Sequence, residues 1–222
     1  MSNDHTLQQA LADIGEWYED HGAQAILDNL APAASAERIE AAEAAAGHPF
    51  PADLAALYRW HDGQQDPNAD LFFPHGGFAP LELGQEEWSY GLRSLSFPEA
   101  SFLPEKFVSS WRATPGAPLD PTHVVTRDAD LFREDERVLF WHCVATMENS
   151  WLMVHLVSGR VFAFLRKDAI YLAAESLTGY VATFADDLWN DRYLLAGDAT
   201  LPEVKEGVHA YRRRFPLLID GE

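Results

Sequence analysis

Residues Ser35 to Gln64 constrain the fold more than any other stretch. Two short helical runs, a proline-punctuated link and an Asp-Gly stop follow there in a fixed order. Ser35 is an N-cap residue type, and Glu37 places a carboxylate in the first turn, at the positive end of the helix dipole. Ile39, Ala42 and Ala46 recur at i, i+3 and i+7, a narrow and mostly small face for close packing. Gly47 is placed to end this helix in the left-handed conformation. Pro49 and Pro51 hold the connector His48 to Pro51 extended, Phe50 is placed to plug the corner, and Pro51 or Ala52 opens the next helix. In that second helix Leu54, Leu57 and Tyr58 share a face and Trp60 flanks it, while Asp62-Gly63 supplies the stop. A sheet is expected to follow.

The positions Glu43, Gly47, Phe50, Pro51, Leu54, Leu57, Tyr58, Asp62 and Gly63 together resemble the signature of the SUKH superfamily, the Smi/Knr-like cell-wall-synthesis regulators and bacterial toxin immunity proteins. Phe78 to Leu95 is similar to that family's strand and following helix. Ser158-Gly159-Arg160-Val161 is similar to its late hairpin, and the run from Ser176 to its final helix. The resemblance implies an α+β fold with a central, mostly antiparallel sheet flanked by helices. It also implies action by binding, as toxin neutralisation or regulatory scaffolding, with no cofactor.

The rest of the chain fits a single such domain over residues 35–196, with an N-terminal helical extension over 1–34 packed on it and a short tail or extension over 197–222. His5 to Asp20 carries Leu7, Leu11, Ile14 and Tyr18 on one helical stripe, with Gly22 ending it. Ile26, Leu27 and Leu30 form a second short run before Pro32. Gln64 to Asp70 is a polar loop, Leu71 to Phe73 an aromatic strand candidate, and Gly76-Gly77 a turn. Phe78 to Leu83 reads as a strand and Gln85 to Leu95 as a helix. Ser96 to Pro121, with Pro98, Pro104, Pro115, Pro118 and Pro121, is an irregular excursion whose only helical run is Glu105 to Trp111. Val138 to Val144, Trp151 to Val157 and Val161 to Leu165 are β-rich and form the central antiparallel strands. Tyr180, Val181, Phe184 and Leu188 recur at helical spacing after Leu177 and can cover that sheet.

Charge bears on partners. Sixteen Lys+Arg against 35 Asp+Glu leave a net charge of −19, which repels nucleic-acid phosphates and favours a basic protein partner such as a toxin domain. No basic n-region with an apolar core opens the chain, and no apolar window is long enough to span a bilayer, so a cytoplasmic location without membrane contact is expected. The single Cys143 excludes an intrachain disulfide and a cysteine-based zinc cluster.

Catalytic motifs are absent from the sequence: no Gly-x-Ser-x-Gly elbow, no phosphate loop, no His-Glu-x-x-His pair. On a strand, adjacent His142 and Cys143 point to opposite faces and make a poor base and nucleophile. His142 and His155, with Glu134 or Glu148, sketch a metal-dependent enzyme as a rival reading, without a recognisable ligand spacing. The run Trp60-His61-Asp62 reads as a helix end rather than a His/Asp dyad, and Arg212-Arg213-Arg214 as a solvated tail. A binding surface needs anchors ringed by charge. Asp66, Asp70, Glu82, Glu86, Glu87, Trp88 and Tyr90 supply both, with the acidic run Asp128, Asp130, Glu134, Asp135 and Glu136 as a rival surface. Trp111, Trp141 and Trp151 read as core. The expected role is a non-enzymatic, SUKH-type immunity protein; the alternative within the binding class is a cell-wall or stress-signalling regulator.

Overall fold

A computed structural model of the protein describes residues 6–69, 71–74, 76–84, 140–147, 150–165, 169–195 and 202–204. The first described element is helix α1 (Leu7–Asp20), whose first turn is capped by the Thr6 hydroxyl accepting from the Gln9 N–H. Short helix α2 (Gln24–Asp28) follows a left-handed Gly22. Helices α3 (Ala36–Ala46) and α4 (Ala52–Trp60) form the pair that the punctuation predicts. Ser35 Oγ accepts from the Arg38 N–H, a cap worth about 1 kcal/mol, and Gly47 closes the helix at φ 71°. Glu43 has a local task as well: its Oε1 accepts the Phe50 N–H at 2.8 Å, so the acid fixes the corner that Phe50 fills.

A five-stranded antiparallel sheet runs in the order β1 (Gly77–Phe78), β2 (Trp141–Met147), β3 (Ser150–His155), β4 (Val161–Leu165) and β5 (Ala169–Ala174). Helix α5 (Leu177–Trp189), capped by Ser176, covers one face through Leu177, Tyr180, Val181, Phe184 and Leu188. A separate two-stranded ribbon pairs β6 (Tyr193–Leu195) with β7 (Pro202–Val204). The fold is α+β, as expected.

The core on the helical face is continuous from α1 to the sheet. Leu7, Leu11, Ile14 and Tyr18 of α1 join Leu54 and Tyr58 of α4, Leu152, Val154 and Val161 of the strands, and Val181 and Leu188 of α5. Polar contacts tie α1 down at its middle and near its C-terminal end: Trp189 Nε1 donates to the Asp13 carbonyl at 3.0 Å, and Tyr18 Oη donates to the Phe72 carbonyl at 2.7 Å. Asp53 joins the starts of two helices, accepting from the Leu54 N–H in α4 and the Thr178 N–H in α5, each at 3.0 Å. Trp141 and Trp151 are buried, as expected of core residues, on the opposite face of the sheet.

Four sequence expectations change. The strand predicted over Phe78 to Leu83 stops at Phe78, and residues 81–84 are helical. Pro80 lacks the N–H that a ladder needs, and the Asp62 carboxylate takes the Leu81 N–H at 3.1 Å, so the chain turns into a helix there. Leu71 to Phe73 is not a strand; Phe73 and Gly76 bond to each other across a tight turn around Pro74. The first long strand spans Trp141–Met147, three residues later than Val138 to Val144 at both ends. β5 is an addition: Ala169 to Ala174 is apolar without alternation, so no period-2 signal marks it. The predicted helix over Gln85 to Leu95, the Ser96 to Pro121 excursion, Trp111, Asp128 to Glu136 and Arg212 to Arg214 lie outside the described residues.

Candidate functional site

Arg38 is the hub of the surface nearest the signature block. It projects from the first turn of α3, forms an ion pair with Asp62 just beyond α4, and donates from Nη2 to Glu82 Oε1 at 3.0 Å in the helical turn 81–84. The two acids differ sharply in setting: the side chain of Asp62 is 4% exposed and that of Glu82 79%. Asp62 also accepts the Leu81 N–H, so its charge is satisfied from two sides while Glu82 stays in solvent.

Gln64 organises the segment between them. Its buried Oε1 accepts both the Phe78 N–H at 2.7 Å and the Phe72 N–H at 3.1 Å, while its Nε2 donates to the Ala69 carbonyl. Its own N–H donates to the Phe78 carbonyl at 2.8 Å. Asp66 sits in the loop so framed. It is exposed, its Oδ1 accepts the Asn68 N–H, and its own N–H donates to Asn29 Oδ1. Asn29 Nδ2 in turn donates to the Asp66 and Ala69 carbonyls. Of the proposed binding residues, Asp66 and Glu82 are thus exposed acids at the two ends of one anchored segment. Asp70, Glu86, Glu87, Trp88 and Tyr90 lie outside the described residues.

Beneath this surface, Tyr58 Oη donates to the Ala79 carbonyl at 3.1 Å and lies 2.7 Å from His142 Nε2. Its single proton is committed to the carbonyl, so it accepts from His142 Nε2–H. Burial, reinforced by the nearby Cys143 and Asp62, holds the Tyr58 hydroxyl well above its ordinary 10. Burial also lowers His142 from 6.5 to about 3, which keeps the imidazole neutral. Gly84 packs against this ring so closely that a Cβ there would meet His142 Nε2 at 2.6 Å.

The signature residues therefore build structure. Leu54, Leu57 and Tyr58 are fully buried, Phe50 nearly so, Gly47 and Gly63 hold φ near 70°, and Asp62 and Glu43 bond backbone N–H groups. His61 and Asp62 make no dyad: His61 Nδ1–H donates to the Ala31 carbonyl, and Asp62 faces Arg38. The sketched metal pair is separated as well. His142 stands across from Val154 and His155 across from Trp141, so the two imidazoles occupy opposite faces of the sheet. His155 Nδ1 instead lies 2.9 Å from Ser158 Oγ in the β3–β4 turn. Cys143 Sγ donates to the Ala145 carbonyl at 3.2 Å, on the face away from His142. Among the described residues, no group of three His, Cys, Asp or Glu is placed to hold a metal ion, and no helix is long and apolar enough to cross a membrane.

Arg38 and Gln64 were not marked by sequence. A lone Arg in a first helical turn and a Gln after Asp-Gly carry no periodicity, and only the tertiary approach of residues 72–82 gives them partners.

These features define an α+β domain whose helix pair and Asp-Gly stop brace a segment that displays acids at its surface. The SMI1 / KNR4 family (SUKH-1) model matches residues 33–183, and the chain belongs to that family. No curated protein matches the chain in sequence.

Proposed function

We propose that this protein is a non-enzymatic binding module that neutralises a cognate bacterial toxin by covering a basic surface. Membership of the SMI1 / KNR4 family carries the reading, because the resemblance implies immunity or regulatory binding. The net charge of −19 and the exposed acids Asp66 and Glu82 support a cationic partner, whose encounter they would accelerate by long-range attraction. Asp70, Glu86, Glu87, Trp88 and Tyr90 extend the proposed surface, with Trp88 and Tyr90 as its apolar anchors. The second reading within the same class is a regulator that binds a resident protein of cell-wall or stress signalling.

The test looks for a toxin gene beside this one and pairs the purified chain with the basic domain such a gene encodes; the absence of any toxin gene there counts against the proposal. Stoichiometric binding, rescue of cells expressing the toxin, and an association rate that falls as salt rises support the proposal. Absence of binding to that domain together with failure of rescue overturns it, and a salt-independent association rate removes the electrostatic part.

A further inference from the structure

Helices α1 and α5 carry carboxylates and no cation. No Lys or Arg precedes Arg38 in the chain, and none lies between Lys167 and Arg192. Asp13, Glu16 and Asp20 recur at i, i+3 and i+7 on α1, on the stripe of Gln9, whose Nε2 donates to Asp13 Oδ1 at 2.7 Å. On α5, Asp186 stands one turn before Trp189. Arg192, just beyond α5, is committed to the buried Asp187 at 2.6 Å.

These acids also oppose the helix dipoles. Glu19 and Asp20 sit in the last turn of α1, Asp186 and Asp187 in the last turn of α5, and neither turn holds a basic residue. Local stability alone favours Lys or Arg at such positions. Trp189 stands against the α1 stripe. It is 47% exposed, one of two exposed large hydrophobic side chains among the described residues. Its ring is held in place, because Nε1 donates to the Asp13 carbonyl at 3.0 Å, which sets the indole beside the turn carrying Asp13 and Glu16. Both α1 and Trp189 fall outside residues 33–183, so the family match does not account for this face.

We propose that Trp189, with Asp13, Glu16 and Asp186, is a docking point for an arginine side chain of a protein partner. The face of an indole attracts a cation, and a guanidinium adds planar stacking and a fork of N–H donors for the flanking carboxylates, which a lysine ammonium lacks. Charge excludes the other occupants. A second copy of a chain of net charge −19, a nucleic acid and an anionic membrane are all repelled. This point goes beyond the proposed function: it lies on other elements than the segment from Asp66 to Glu82 and does not depend on that surface.

The probe is a blocked Ser-Arg-Ser-Arg-Ser peptide titrated into the nitrogen-15-labelled full chain, with lysine and citrulline versions beside it. The Trp189 indole N–H signal, identified by its loss in Trp189→Phe, should move with the amides of residues 13–20 and 186–190 along one saturable curve. The arginine peptide should bind more tightly than the lysine peptide, and the neutral citrulline peptide should give no response. Trp189→Ala should weaken the curve roughly fivefold, and Glu16→Gln and Asp186→Asn about twofold each. Asp186→Asn should at the same time raise the melting temperature by about 1–3 °C, because its carboxylate opposes the α5 dipole. Shifts at Asp66 and Glu82, which belong to the proposed function, should follow a separate curve that Trp189→Ala leaves in place, so either surface can fail alone. An unmoved Trp189 signal, an equal response to the citrulline peptide, an affinity unchanged in both Trp189→Ala and Glu16→Gln, or a melting temperature lowered by Asp186→Asn would each overturn the proposal.

Discussion

Asp62 and Glu82 meet the same arginine, yet they belong to different regions of the molecule. Asp62 lies at the inner end of the Arg38 bridge, buried and bonded to backbone; Glu82 lies at the outer end, in water. An ion pair whose acid is buried and hydrogen-bonded is costly to break from one side, whereas an exposed pair contributes about 0–1 kcal/mol. The inner region, with Gly63, Gln64, Tyr58 and His142, therefore sets the architecture. The outer region, with Asp66 and Glu82, stands in solvent, where the proposed function places a partner.

The largest expected effect is at the centre of the inner region. Gly63 holds φ 72°, and a Cβ there would meet Pro80 N at 2.3 Å, so Gly63→Ala should cost about 3 kcal/mol or more in denaturant unfolding. An intact, fully stable variant would break the claim that this contact is rigid. Gln64→Leu leaves the Phe72 and Phe78 N–H groups without their acceptor and should cost roughly 2–4 kcal/mol by the same measurement. Asp62→Ala strips the Leu81 N–H and the inner side of Arg38 of their acceptor; about 2 kcal/mol is expected, moderated because Arg38 is half-exposed.

A subtler probe is His142. Its folded value of about 3 lies below the 6.5 it takes up when unfolded, so the unfolded chain binds the extra proton. Stability is whole above pH 6.5, falls as pH drops, and is fully lost from this source only below about 3. The slope is at most about 1.4 kcal/mol per pH unit, and His142→Gln, which keeps an amide N–H for Tyr58, should flatten the stability curve between pH 6.5 and 5. An unchanged slope would show that other groups control the acid limb. The smallest effect belongs to the outer end. Glu82→Gln should change stability by less than about 0.5 kcal/mol while slowing association with a basic partner. If it destabilised the fold as much as Asp62→Ala, the division between inner and outer regions would fail.

The helix pair was legible because each of its signals is local: a cap at Ser35, a left-handed Gly47 and an apolar face from Leu54 to Tyr58 act within a few residues. The hairpin from β3 to β4 and helix α5 were legible for the same reason, from β-branched runs and helical spacing. What was not legible depends on distant partners. Phe78 to Leu83 carries strand-type residues around Pro80, and Asp62, 19 positions before Leu81, joins Pro80 in turning the chain into a helix. The separation of His142 from His155 likewise follows from a strand register that side-chain identities do not encode. At the candidate site, Glu82 and Asp66 could be named as exposed acids, but Arg38 and Gln64, which hold that segment in place, could not.

The anchoring of residues 64–78 has an evolutionary corollary. Asn29 and Gln64 grip the segment by main-chain atoms: the carbonyls of Asp66 and Ala69 and the N–H groups of Phe72 and Phe78. Main-chain grips are indifferent to the identity of the residue gripped. Solvent-facing positions such as Asp66 and Asn68 can therefore be rewritten without loosening those clamps. Under the proposed function, such a segment could change to match a changing toxin while the scaffold beneath it stands still.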